Sequence, residues 1–357
     1  MKKNLFFLIV AASLLAGCKS GKEESAAIPQ PKNIIMMIGD GMGLEQISCA
    51  WVANKGTLNI DQMPVVGFQR TYSANSLITD SAAGGTALAT GSKTDNGHVG
   101  VTPDGQDFET LMDKARKAGK RTGVAVTCSL TDATPSDFCC HNEDRDDGYD
   151  LSADYVDSDV DFIAGGGLRF WSNRPDGRDL NADFIAKGYT TCTDAESLLG
   201  AEKLPVAASI ADFNLPVAAE RGDLFRKITA KAIEMLSKDN DNGFFLMIEG
   251  SCIDDWCHEN DIDRAVGEML DFDRTLGDVL EWAKADGNTL VVVTADHATG
   301  SLTLQGGNLE TGEIEVNFAT DSHNGIAVPY YVFGPGSENF GGILENTDIA
   351  RITEQLL

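Results

Sequence analysis

Asn33-Ile34-Ile35-Met36-Met37-Ile38-Gly39-Asp40-Gly41-Met42-Gly43 is an apolar run that stops at an acid set between glycines. It reads as a buried strand delivering a carboxylate at its carboxyl end, where open α/β sheets place their sites. The plainer alternative is a turn residue that closes a strand. The pattern returns twice. Phe244-Phe245-Leu246-Met247-Ile248 leads into Glu249, and Leu290-Val291-Val292-Val293-Thr294-Ala295 leads into Asp296 and His297. Further apolar strands are legible at 122–128, 160–164 and 329–333. Helical patterns separate them at 108–118, 223–237 and 263–285. In the second, Leu224, Ile228, Ala232 and Leu236 recur at helical spacing. Strands alternating with helices predict an α/β fold whose mostly parallel sheet is covered by helices on both faces.

Candidate metal ligands gather after these strands. Asp254 and His258, four residues apart, share a face if their segment is helical. His323 precedes the strand at 329–333. The chain holds five histidines, and three of them stand beside acids near apolar strands. Singly, each segment could be a solvated helix face or a structural histidine. Together, nitrogen and oxygen donors without thiolate suit zinc and magnesium. Thr79-Asp80-Ser81-Ala82-Ala83-Gly84-Gly85-Thr86-Ala87 adds a serine followed by tiny residues. A serine hydroxyl needs an activator to act as a nucleophile. Small residues let the backbone approach whatever the serine attacks, although a small-residue helix start looks the same. No partner segment resembles a serine-protease triad.

These segments, in order, resemble the alkaline phosphatase family from about Asn33 to Pro335. The resemblance rests on Thr79-Asp80-Ser81-Ala82, Thr90-Gly91-Ser92-Lys93-Thr94, Asn96-Gly97, Asp132-Ala133-Thr134-Pro135, Gly165-Gly166-Gly167, Glu249-Gly250-Ser251, Thr294-Ala295-Asp296-His297 and the His323 segment. It implies a three-layer α/β/α sandwich with a large, mostly parallel central sheet. It also implies two Zn2+ and one Mg2+. Asp254, His258 and His323 would hold the first zinc. Asp40, Asp296 and His297 would hold the second, with Ser81 as exchangeable ligand. Asp40, Thr134 and Glu249 would hold magnesium, with Asp132 acting from behind it through bound water. Arg145, thirteen residues after Asp132, stands where relatives carry a phosphate-clamping arginine. Set among Asn142-Glu143-Asp144-Arg145-Asp146-Asp147, it could equally be a surface ion-pair residue.

The implied activity is hydrolysis of phosphate monoesters through a phosphoserine on Ser81, with broad substrate range and an alkaline optimum. The alternatives are a phosphodiesterase of the same superfamily and a non-catalytic metal- or phosphate-binding lipoprotein. Diesterase relatives usually carry threonine as nucleophile and lack the arginine. The motif that sulfatases need after the nucleophile is absent. Two departures stand out. Asp255 occupies a position where relatives often carry Lys, His or Trp, and the following Trp256 raises a one-residue shift of register. Only 25 residues separate His297 from His323, where many relatives carry a larger subdomain that helps form the dimer. Homodimer and monomer both remain open.

The sequence of 357 residues carries a net charge of −27, which disfavours nucleic acid and anionic membrane surfaces as partners but not small phosphate esters near bound metals. The acidic runs 144–147 and 154–161 read as solvated faces. The first 17 residues read as a lipoprotein-type signal peptide, basic and then apolar, with Leu15-Ala16-Gly17-Cys18 at its end. Cys18 would be lipidated and would anchor the exported chain to a bacterial membrane, at the periplasm or cell surface. Residues 18–31 form a flexible tether, and 32–357 the catalytic domain. Seven cysteines remain after Cys18. Export permits disulfides among them, and the odd number leaves at least one free. Cys252 and Cys257 read as packing residues rather than ligands.

Overall fold

The computed structural model describes residues 30–172 and 174–357. The expected signal peptide, Cys18 and nearly all of the tether lie outside the described residues. The first eight strands are β1 (Asn33–Gly39), β2 (Val65–Arg70), β3 (Arg121–Ser129), β4 (Phe162–Gly166), β5 (Thr190–Cys192), β6 (Val206–Ser209), β7 (Phe244–Gly250) and β8 (Thr289–Thr294). Short strands β9 (Ala298–Thr299), β10 (Leu302–Asn308), β11 (Glu313–Phe318) and β12 (His323–Asn324) follow, then β13 (Val328–Phe333) and β14 (Ile343–Glu345). Ten of them form one sheet in the order β14-β2-β13-β8-β1-β7-β3-β4-β6-β5. Every neighbouring pair is parallel except the two made by β13.

The sheet separates two apolar cores. Along β1, Ile35 and Met37 face one side, and Ile34, Met36 and Ile38 face the other. All of β1, β7 and β8 is buried, which is why these strands read as continuous apolar runs. Phe225 and Ile228 of helix Leu224–Ser237 and Leu276 of helix Ile262–Asp286 cover one face. Helices Ser81–Thr90, Ala133–Cys139 and Asn346–Gln355 cover the other. The three-layer sandwich stands as expected.

Details differ from the sequence reading. The helix expected from residue 108 starts at Leu111, because Thr110 caps it: Asp113 N donates to the Thr110 hydroxyl at 3.2 Å, and Thr110 N donates to the Asp113 carboxylate at 3.1 Å. The acidic run 154–161 is only partly solvated. Asp154 accepts from His141 N at 3.0 Å, and Asp161 accepts from Thr122 N at 2.9 Å. The seven described cysteines are all free and buried. They are shared among separate clusters: Cys192 and Cys257 on one face of the sheet, Cys128, Cys139 and Cys140 on the other. They pack as small apolar residues. The interval between His297 and His323 forms the β10–β11 hairpin and the β9–β12 pair.

Candidate active site

Four adjacent strands in the order β8-β1-β7-β3 deliver the candidate ligands. Asp296 and His297 follow β8, Asp40 follows β1, Glu249 is the second-last residue of β7, and Asp132 and Thr134 follow β3. Parallel neighbours lie about 4.8 Å apart, so carboxylates at their ends crowd together. Ser81 is the first residue of its helix, capped by Asp80, whose Oδ1 accepts Ala83 N at 3.0 Å. The tiny residues behind Ser81 allow close approach. A Cβ on Gly84 would lie 3.1 Å from the Asp296 carbonyl oxygen, and one on Gly85 2.1 Å from Asp137 Oδ2.

The outer cluster joins Asp254, His258 and His323. His258 Nε2 lies 3.1 Å from Asp254 Oδ2, and His323 Nε2 lies 3.6 Å from Asp254 Oδ1. The two Nε2 atoms face each other at 3.1 Å. Each Nδ1 meets a backbone carbonyl, His258 with Asp321 at 2.5 Å and His323 with Thr79 at 3.0 Å. A carbonyl only accepts, so Nδ1 carries the proton in both rings, and the neutral rings turn two Nε2 lone pairs toward one point. That arrangement needs a cation. In the metal-free protein a proton serves: the hydrogen bond to Asp254 lifts His258 to about 9, and Asp254 also raises His323 against its burial. Burial would raise Asp254, but hydrogen bonds from His258 and His323 outweigh it and hold its carboxyl well below the usual range.

The inner cluster is built on His297, which is fully buried. Its Nδ1 lies 3.2 Å from the Thr299 hydroxyl, which donates its own proton to Asp254 Oδ1. Nδ1 is therefore the donor, and the Nε2 lone pair is free. Ser81 Oγ lies 3.1 Å from that Nε2, Asp296 Oδ2 3.1 Å and Asp40 Oδ1 3.5 Å. The ligand atoms that converge within 4.8 Å of one another here are those of Asp40, Asp254 and His297, a part for Asp254 that the sequence does not reveal. The fold thus brings Ser81 onto a histidine although no triad pattern is legible. Two carboxylates crowding the same nitrogen distinguish this from a serine–histidine base pair and fit a shared cation.

A direct test of fit comes from buried atoms without hydrogen-bond partners. Asp40 Oδ1, Thr134 Oγ1, Glu249 Oε1 and Asp296 Oδ2 are among them. Such atoms are rare and cost about 1–3 kcal/mol each when nothing satisfies them. Burial first, then neighbouring carboxylates, pushes Asp40 and Glu249 well above the usual range. A divalent cation resolves both problems at once. Hard oxygen donors from Asp40, Thr134 and Glu249 suit magnesium, and the mixed nitrogen and oxygen sets suit zinc.

Arg145 points into the site rather than toward its acidic neighbours in sequence. Its Nη1 lies 3.4 Å from Asp80 Oδ2 and its Nη2 3.4 Å from Asp132 Oδ1. Asn96-Gly97 supports this: Gly97 N donates to Asp80 Oδ2 at 2.8 Å, and Arg145 N donates to Gly97 O at 2.9 Å. The register at Asp254 is not shifted, since Asp254 itself meets the histidines. Asp255 turns outward and accepts from Asn214 Nδ2 at 3.0 Å. Sequence reasoning missed Thr299 and the bracing role of Asp80. For Asp80 a signal existed, an acid immediately before a helix start.

Against known proteins, the profile described as alkaline phosphatase matches residues 31–317. Alkaline phosphatase 4 of Bacillus subtilis is 30% identical over 100% of this chain and 97% of its own length. The chain belongs to the alkaline phosphatase family. The Escherichia coli alkaline phosphatase is 31% identical over 89% of this chain and 84% of its own. The solved alkaline phosphatase of the Antarctic bacterium TAB5 superposes with a TM-score of 0.86 at 37% identity, covering 92% of this chain and 98% of that one. A variant of that enzyme is described with bound magnesium. This chain is accordingly a phosphatase, and its Asp and His clusters are placed so that they could hold metal ions.

Proposed function

We propose that this phosphatase works through a phosphoserine at Ser81, with two zinc ions and one magnesium, on a broad range of monoesters and with an alkaline optimum. The observation that carries the reading is the gathering of Ser81 Oγ, Asp40 Oδ1 and Asp296 Oδ2 at 3.1, 3.5 and 3.1 Å from His297 Nε2. Asp254, His258 and His323 would hold one zinc, Asp40, Asp296 and His297 the other, and Asp40, Thr134 and Glu249 the magnesium. Bound there, the ions supply Lewis-acid stabilisation of the attacking and leaving oxygens and a lowered hydroxyl pKa.

The chain's own residues do the rest. Ser81 Oγ attacks phosphorus as it gives up its proton to solvent, and the bond to the ester oxygen breaks, that oxygen taking a proton from solvent to leave as the alcohol. Arg145 holds two non-bridging oxygens through its paired N–H groups, kept in place by Asp80 and Asp132. The amino end of the Ser81 helix adds a favourable field for the phosphoryl charge. Water then attacks phosphorus, returning Ser81 and releasing phosphate. Asp132 takes part from behind the magnesium ligands. The reading extends to export and lipid anchoring at Cys18, which membrane fractionation of a Cys18→Ala chain tests.

The deciding experiment compares an aryl phosphate monoester with the matching diester, using protein lacking residues 1–18 and loaded with zinc and magnesium. Monoester preference that rises toward alkaline pH and disappears in Ser81→Ala is expected. Diester preference would remove Arg145 as the clamp and support the phosphodiesterase alternative.

A further inference from the structure

Neither metal nor phosphate binding explains the Gly165-Gly166-Gly167 turn. It closes β4, and backbone from residues 211–213 fills the space it leaves. Gly167 N donates to Phe213 O at 2.9 Å, Leu168 N to Ala211 O at 2.9 Å and Arg169 N to Asp212 O at 3.2 Å. A Cβ on Gly166 would lie 1.7 Å from the Phe213 carbonyl oxygen, so a larger residue would displace this loop. The loop is pinned beyond Phe213 as well. Asn214 Oδ1 accepts Ser129 N at 2.9 Å, Asn214 Nδ2 donates to Asp255, and Leu215 N donates to Thr127 O at 2.9 Å.

This rigid backbone holds out an aromatic ring. Phe213 is 44% exposed. The Phe170 ring lies 6.3 Å away, centroid to centroid, and packs so closely on Gly148 that a Cβ there would lie 2.7 Å from it. The two rings and Arg145, Asp132 and Asp146 line a cavity of about 190 Å³. Arg145 and Asp132 thus border both the phosphate position and the cavity.

We propose that this cavity is a subsite for an uncharged aromatic ring on the alcohol portion of the substrate, which makes aryl phosphates preferred monoesters. The proposal rests on the reading of Arg145 as phosphate clamp. Arg145 lines the cavity, so a phosphate on its guanidinium lies next to the rings, and one ring matches the cavity's size. Phe170 and Phe213 offer the offset or edge-on contacts that aromatic pairs favour. Asp132 and Asp146 on the walls outnumber Arg145, and Arg169, 4.8 Å over the Phe213 ring, is paired with Asp212, so the balance of charge disfavours an anionic ring. The glycine turn has its role here: it admits the loop that carries Phe213.

The test is inhibition of the metal-loaded enzyme by benzylphosphonate, methylphosphonate and inorganic phosphate. In benzylphosphonate a methylene stands in for the ester oxygen, so the ring reaches where an aryl ester would and no bond is cleaved. The wild-type enzyme is expected to bind benzylphosphonate more tightly than methylphosphonate. Phe213→Ala should weaken benzylphosphonate about 3- to 10-fold, the span of one aromatic contact, while the other two inhibitors stay within about 2-fold. Phe213→Leu should fall between, and a para-carboxylate on the ring should weaken binding to the wild type. Equal weakening of all three inhibitors by Phe213→Ala would overturn the subsite, since the loop would then only position Arg145. So would the lack of a benzyl preference in the wild type. Failure of inorganic phosphate to inhibit at all would overturn the Arg145 reading instead, and the subsite with it.

Discussion

His258 and His323 stand at the rim of the site, His297 at its floor. The His258 side chain is 40% exposed, whereas that of His297 is fully buried. The same tautomer logic fixes both clusters, since each Nδ1 is tied to a fixed partner and each Nε2 is turned inward. Their counter-charges differ. At the rim, two histidines share one carboxylate, and protons on the rings can replace a metal. At the floor, one histidine faces several carboxylates, and burial penalises every charge. An ion at the exposed rim would be open to exchange with solvent, while an ion at the floor would also relieve the crowding of buried carboxylates. The two clusters meet at Asp254 and through the His297 and His323 rings, stacked at 3.5 Å.

The largest effect comes from the nucleophile between them. Ser81→Ala should reduce turnover by about 10³-fold or more while metal content and melting temperature hold, checked by kinetics and elemental analysis. Next is removal of the metals. Chelation should lower the melting temperature by about 10 °C, as expected for loss of ligands present far above their dissociation constants. An unchanged melting temperature would break the contrast, because the floor would then tolerate its carboxylates alone. Thr299→Val, which frees Nδ1 of His297 and removes a hydrogen bond from Asp254, should weaken metal binding at the floor about 10- to 100-fold and at the rim less, read by competition with a chromophoric chelator. Gly85→Ala, whose Cβ would strike Asp137, should destabilise by about 1–3 kcal/mol in denaturant titration.

A pH titration sharpens the contrast further. His258 is raised in the metal-free fold. A raised folded pKa gives stability that is complete below the unfolded value, near 6.5, and is lost as pH rises through about 9. The chelated protein should therefore lose stability across that window, and the metal-loaded protein should not. Smallest of all, a thiol reductant should leave the melting temperature unchanged, since the seven described cysteines are free.

The central strands were legible because full burial on both faces leaves an unbroken apolar run, as in β1, β7 and β8. The edges were not. β2 alternates buried and exposed residues, with Phe68 39% exposed, while β5 and β14 have three residues each. Such strands owe their conformation to a neighbour. The same holds in the site. Residue type and strand-end position pointed to Asp40, Glu249, Asp254, His258, Asp296, His297 and His323. Thr299 carried no signal, because its value lies in reaching His297 and Asp254 at once. Phe213 was also silent, and only the backbone contact with Gly166 gives it a place. Arg145 was ambiguous among its acidic neighbours until the chain turned it toward Asp80 and Asp132.

The most direct test of the account is to quench the metal-loaded enzyme with acid during monoester turnover and map the phosphoryl group by mass spectrometry. The account predicts a phosphoryl adduct on Ser81 that is absent from Ser81→Ala. Undiminished turnover in Ser81→Ala, with no adduct on any residue of the wild type, would contradict it.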